Sequence, residues 1–210
     1  MMRKYAVLIG IIISSVLMAI AIWVYPDGSM YDDTAVGFSW SKNFISNLFQ
    51  PRALNGAENP SVIWAYAGMI LFPVSYAIFF INMAQKIPDR NAGYIIKYGG
   101  LANVLFTFLT VTRLHDLMLI ISTSVFWTCI IIITVFVLKT KLQLFKLLCV
   151  ICLLFFYYSV YLWATSNWDL LPITQKVNLG TSTLLILGLE YFSKKEDFAG
   201  IKTGKTRETL

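Results

Sequence analysis

The chain has 210 residues, of which 58% are hydrophobic and only 13% charged, with a mean hydropathy of +0.69. A soluble globular domain is about 45–50% apolar and about 25% charged, so this charge cannot cover a water-facing surface and a soluble domain is excluded. The formal net charge is +6, from 17 basic and 11 acidic residues. The basic residues gather at the ends of apolar runs, where they set membrane orientation and give no reason to expect nucleic acid.

A span needs about 20 mostly apolar residues to cross about 30 Å of hydrocarbon. Residues 5–25 carry no charge and form the first predicted span. Arg3 and Lys4 precede it, and Ala19-Ile20-Ala21 resembles a signal-peptidase step. The run is longer than the roughly 7–15 apolar residues of a signal peptide, so a retained span is expected. A long loop follows, and then residues 62–83, with Pro73 inside, form the second span. Residues 94–112 form the third, with Lys97 near one end to snorkel towards the headgroups. Residues 117–138 and 147–165 form the fourth and fifth. Residues 172–192 form the sixth, with Lys176 near its start and Glu190 near its end. The fold expected is an all-α membrane protein. It is a six-transmembrane-helix bundle over residues 1–193, with a long extracytoplasmic first loop that contains a short amphipathic helix. The polar tail, 194–210, is expected to be cytoplasmic and mobile.

Orientation follows from Lys and Arg. With both termini in the cytoplasm, the inner side carries Arg3, Lys4, Lys86, Arg90, Lys139, Lys141 and the tail cations Lys194, Lys195, Lys202, Lys205 and Arg207. The outer side carries only Lys42, Arg52, Arg113 and Lys176, a bias of the positive-inside kind. Trp23, Tyr25, Trp64, Tyr66, Trp163 and Trp168 then fall at the outer boundary, as an aromatic belt requires.

The loop opens on Pro26-Asp27-Gly28 and closes on Asn55-Gly56 and Asn59-Pro60, all turn chemistry. Read as a helix capped by Ser41, its centre puts Phe44, Ile45, Leu48 and Phe49 on one face. Asn43, Ser46, Asn47 and Gln50 lie on the other. Such a helix lies in the interface or forms a lid over an outward cavity. Two spans carry polar stripes at helical spacing: Asn103, Thr107 and Thr110 on the third, and Gln175, Asn178 and Ser182 on the sixth. Polar side chains in lipid turn towards the bundle interior, where they bond other helices or line a pocket.

Between the third and fourth spans lies Arg113-Leu114-His115-Asp116, with the only histidine of the protein. One histidine rules out zinc sites with two or three histidines and bis-histidine haem ligation within one chain. Cys129, Cys149 and Cys152 lie inside apolar runs and read as packing residues. No metal or cofactor is expected. His115 and Asp116 with Ser46 are the catalytic candidates, for an intramembrane lipid-modifying hydrolase.

Six spans and the loop segment Asn43-Phe44-Ile45-Ser46-Asn47-Leu48 resemble the bacterial domain-of-unknown-function 998 family. That family is related to the Frag/DRAM/Sfk six-span membrane proteins. Its members often carry Ile-Ser-Asp-Leu-Gly after the first span; here Asn47 stands at the Asp and Phe49 at the Gly. The resemblance implies a six-helix bundle and little about activity.

The expected function is binding or sensing of a lipid or small amphiphile at an outward-facing polar pocket of the bacterial cytoplasmic membrane, or support of a membrane partner or homo-oligomer. A small transporter is the other alternative, although the apolar inner halves of the spans favour a blind pocket. The expected ligand-binding set is Asn43, Ser46, Asn47, Asn103, Arg113, His115, Asp116, Gln175, Lys176 and Asn178. Arg113 or Lys176 should pair with Asp116, Asp32 or Asp33, because an unpaired buried cation is costly. His115 should lie beside the loop helix.

Overall fold

The computed structural model describes residues 2–201, and within them the chain is all-helical apart from two isolated β-bridges. Six α-helices follow in order: α1 (Ala6–Trp23), α2 (Ser61–Lys86), α3 (Arg90–Leu109), α4 (His115–Val137), α5 (Gln143–Ala164) and α6 (Leu171–Phe192). The first five are long and apolar enough to cross a membrane. α6 matches them in length, with 22 residues, but its polar positions lower its hydropathy. The helices start and stop close to the spans expected from the sequence. α3 begins at Arg90 rather than 94 because Asp89 caps it, its carboxylate accepting from the Ala92 N–H at 2.8 Å.

Helices α1 and α2, α2 and α3, α3 and α4, and α5 and α6 pack as sequential neighbours. α2 is the hub, packing closely on α1 and α3; its contact with α6, like that between α4 and α5, is light. Small residues let backbones approach, as in helix pairs that meet within lipid. Ser14 Oγ donates to the Gly68 carbonyl at 2.7 Å across α1 and α2. A Cβ on Gly100 of α3 would lie 2.4 Å from the Cβ of Phe80 on α2. Beneath these contacts Phe79, Phe80, Ile130, Ile133, Leu185 and Ile186 make a fully buried core. Cys129, Cys149 and Cys152 are free, buried and part of it.

The bundle has two distinct ends. At the terminal end, Tyr191 of α6 accepts from the Leu8 N–H of α1 at 3.0 Å and stacks on Tyr5. At the other end, residues 24–60 fold into a cap. α6 runs from cap to terminal end, since Gln175 near its start bonds the cap and Tyr191 near its finish bonds α1.

Two expectations need correction here. The start of the tail is ordered: Lys195–Phe198 forms a 3-10 helix and fully buried Phe198 joins the main core. One large aromatic side chain among charged neighbours is enough to anchor a short segment. Lys202, Lys205 and Arg207 lie outside the described residues. Tyr25 is no belt residue: it is buried in a second apolar cluster with Phe38, Leu48 and Phe49, and its hydroxyl accepts from the Leu54 N–H at 3.1 Å. Trp23, Trp64, Trp163 and Trp168 are exposed.

Candidate functional site: a capped cavity

The cap is a folded unit with its own apolar cluster and its own hydrogen bonds. Gly28 sits at φ +95°, where a side chain would be strained, and a Cβ there would lie 2.5 Å from the Asn55 N. That close approach brings the two turns of the loop together. Asn43 is buried and donates from Nδ2 to the Gly28 carbonyl at 2.9 Å. Asn59, also buried, donates to the carbonyls of Gln50 at 2.8 Å and Asn47 at 3.3 Å, while its Oδ1 accepts from the Ser61 N–H at 3.1 Å. The Thr34 hydroxyl and N–H hold the Asp32 carboxyl below the usual carboxylate range.

The helix within the cap is shorter and tighter than its pattern indicates. It is a 3-10 helix spanning Ile45–Phe49, with Leu48 and Phe49 buried. Ser41 does not cap it. The Asn47 side chain turns back to accept from the Phe44 N–H at 2.6 Å. Gln175 of α6 secures this helix from below, its Oε1 accepting from the Ile45 N–H at 2.9 Å. Lys176 adds a second tie, donating from Nζ to the Asn43 carbonyl at 2.6 Å and the Pro172 carbonyl at 2.9 Å, with Phe38's ring 5.5 Å away.

Under this cap lies a cavity of about 570 Å³ between α2, α3, α4 and α6, within the roughly 300–1,000 Å³ range of small-molecule sites. Its roof includes Ile45, Ser46, Phe49 and Gln50. Asn103, Thr107 and Thr110 line it from α3, and Gln175, Asn178 and Ser182 from α6. Both polar stripes seen in the sequence therefore face one space. Its floor is aromatic: Phe72 and Tyr76 of α2 meet Phe126 and Trp127 of α4, with Tyr76 and Phe126 stacked 5.6 Å apart. Arg113 and His115 stand at the rim. Leu119 of α4 and Leu179 of α6 are 43% and 38% exposed and also line the cavity, so it opens sideways between these helices as well as at the cap.

The lining carries no acidic residue, and Arg113 is its one full cation. Asn103 is 8% exposed, its Oδ1 has no partner, and its amide bonds no described residue. Asn178 donates from Nδ2 to Ser159 Oγ at 2.6 Å, but its buried Oδ1 is also unpartnered. Such orphaned acceptors are rare in native interiors and call for an explanation.

Of the expected binding residues, Ser46, Asn103, Arg113, His115, Gln175 and Asn178 line this cavity; Asn43, Asn47, Asp116 and Lys176 do not. Asn43 Nδ2, Asn47 Oδ1 and Lys176 Nζ bond the cap backbone, Asn43 Oδ1 is buried without a partner, and Asp116 is exposed at the start of α4. The expected ion pair is also absent: among the described residues neither Arg113 nor Lys176 meets a carboxylate. Backbone carbonyls satisfy Lys176 instead, and the ion pair at this end joins Lys42 to Asp169 at 3.3 Å, both well exposed. His115 and the loop-helix residues Ile45, Ser46 and Phe49 line the same cavity.

Among the described residues Ser46, His115 and Asp116 do not hydrogen-bond one another. His115 Nδ1 bonds the Thr110 carbonyl rather than Asp116. A carbonyl only accepts, so Nδ1 carries the proton and Nε2 is the free atom. Among the described residues no three His, Cys, Asp or Glu side chains converge to hold a metal. Of the α4 wall only His115 was expected from the sequence, yet the signal for the rest was present: His115, Leu119, Ser122, Thr123, Phe126 and Trp127 repeat at the spacing of one helix face. Comparison with protein-family models, with curated proteins and with solved structures finds no match.

Proposed function

We propose that this chain is a six-span membrane protein that binds or senses a lipid or other small amphiphile in the capped cavity. The observation that carries the reading is a buried, unpartnered Asn103 amide inside a cavity whose side opening is rimmed by exposed Leu119 and Leu179. A ligand that enters past leucines and meets carboxamides has an apolar body and a polar head. The six-span count is supported by α6, which runs from the cap to the terminal end as its apolar neighbours do. With an even number of spans both termini share one side, and the Lys and Arg bias makes that side cytoplasmic. The likeness to the domain-of-unknown-function 998 family fits the same architecture and is proposed with it.

A hydrolase built on Ser46, His115 and Asp116 has no geometric support, because His115 is held by Thr110 and Asp116 faces away from the cavity. A transporter is not favoured either, because fully buried Phe79, Phe80, Ile130 and Ile133 fill the bundle below the aromatic floor.

The test is mass spectrometry of lipids retained by the purified chain, compared with Leu119→Trp, which plugs the side opening at a position that tolerates bulk. Selective loss of one retained species in the variant is expected. An identical lipid complement in both proteins overturns the reading.

A further inference from the structure

The charge of the cavity is one-sided. Its lining holds the guanidinium of Arg113 and no carboxylate. Arg113 is exposed at the rim, and among the described residues no acid pairs with it; Asp116, its near neighbour in sequence, lies outside the lining. Its five N–H groups therefore meet no protein acceptor among the described residues. Free donors stand at the same capped end. Gln175 Oε1 accepts from the Ile45 N–H at 2.9 Å, and since a backbone N–H needs an acceptor, the amide orientation is fixed and Nε2 is left free. The Ser46 hydroxyl and the Gln50 amide, both in the roof, bond no described residue. The hydroxyls of Ser182 and Ser122, whose protons go to the Leu179 and Leu119 carbonyls at 3.1 and 3.2 Å, lie about two helical turns further along α6 and α4 than Gln175 and His115. Hydroxyls and amides serve donors and acceptors alike, so the discrimination between ligands rests on charge.

From this asymmetry, and resting on the amphiphile reading above, we infer that the cavity selects an anionic amphiphile whose carboxylate or phosphate head meets Arg113 under the cap. The guanidinium is a planar fork that matches either oxyanion. The Ser46 hydroxyl and the amides of Gln50 and Gln175 line the same space and can donate to the remaining oxygens. An ammonium head is repelled by Arg113 and finds no carboxylate in the lining, and an uncharged head forgoes the ionic attraction. The chain of the ligand lies on the floor of Phe72, Phe126 and Trp127.

The full chain in neutral detergent is offered oleate, oleoyl lysophosphatidate and monooleoylglycerol in pairwise competition, at a mildly alkaline pH that ionises both anions, with occupancy read by native mass spectrometry. At least one anion should bind about tenfold tighter than the glyceride, the scale of one charge-assisted hydrogen bond. The tighter anion identifies the head as carboxylate or phosphate. Arg113→Gln should erase most of the preference, and Arg113→Lys, a point charge without the fork, should keep part of it. Neither should move the thermal midpoint of the unliganded protein, because the side chain is exposed and pairs with no described acid. Added salt should weaken the preference, since the cation stands at an exposed rim. Glyceride binding as tight as that of both anions, or a preference that survives Arg113→Gln, overturns the anionic-head inference and, where Leu119→Trp still reduces binding, leaves the amphiphile site standing. Binding of none of the three, or binding unaffected by Leu119→Trp, overturns the site and the inference with it.

Discussion

Asn59 and Asn103 are both buried carboxamides, and their surroundings divide them into a bonded structural residue and an unpartnered one for which a binding role is proposed. Asn59 bonds the backbone of Gln50, Asn47 and Ser61 and holds the end of the cap to the start of α2. Asn59→Ala should therefore destabilise the protein by about 1–3 kcal/mol, the usual penalty for orphaning buried groups. Hydrogen exchange should speed up over residues 47–61 and leave the core of α2 unchanged. Exchange that quickens uniformly along the chain would refute a local role. At this scale the sequence revealed the stripes on α3 and α6, because helical spacing assigns a face without knowledge of the partner. It concealed the work of Asn43, Asn47 and Lys176. Their partners are loop carbonyls, placed by the positive-φ turn at Gly28 rather than by any periodicity.

Among the elements, α3 shows how tightly the cavity walls are held. Gly100 faces Phe80 so closely that an added methyl meets the Cβ of Phe80, which cannot swing aside as the tip of a long side chain can. Gly100→Ala should cost about 1–3 kcal/mol by overpacking, read from the thermal midpoint in detergent. If Gly100→Ala is neutral, α3 is not seated as described. The long helices were legible as apolar runs, and their ends shifted only where a cap such as Asp89 intervened. The cap helix was over-read. Amphipathic spacing matched an α-helix, but the segment tightens to a single 3-10 stretch because Asn47 and Gln175 take the N–H groups of Phe44 and Ile45. The 3-10 helix at Lys195–Phe198 was unreadable, since its one apolar anchor finds its partners only in the assembled core.

For the whole molecule, the six-span reading puts the cap and the chain ends on opposite membrane faces. Single cysteines at positions 56 and 200, in a background without Cys129, Cys149 and Cys152, should label from outside intact cells at 56 only. Labelling at 200 but not at 56 would invert the topology, and labelling at both would give an odd number of spans. The helix count was legible because hydropathy is additive along the chain; an outward polar pocket was expected from the stripes, but its aromatic floor was not, since it arises only where α2 and α4 side chains meet in the assembled bundle. The composition of α6 also bears on biogenesis. A lone helix with Lys176, Asn178 and Glu190 partitions less well from the translocon than its apolar neighbours, although Lys176 and Glu190 lie towards its ends, where a charge costs less than the about 2.5–3.5 kcal/mol of the helix centre. In the finished bundle Lys176 is satisfied by the Asn43 and Pro172 carbonyls, and Glu190 Oε1 accepts from Asn82 Nδ2 of α2 at 2.7 Å. In a glycosylation-mapping assay α6 alone should fail to insert and should gain insertion when α2 or α5 precedes it, so that membrane entry and tertiary folding of this chain form a single late event.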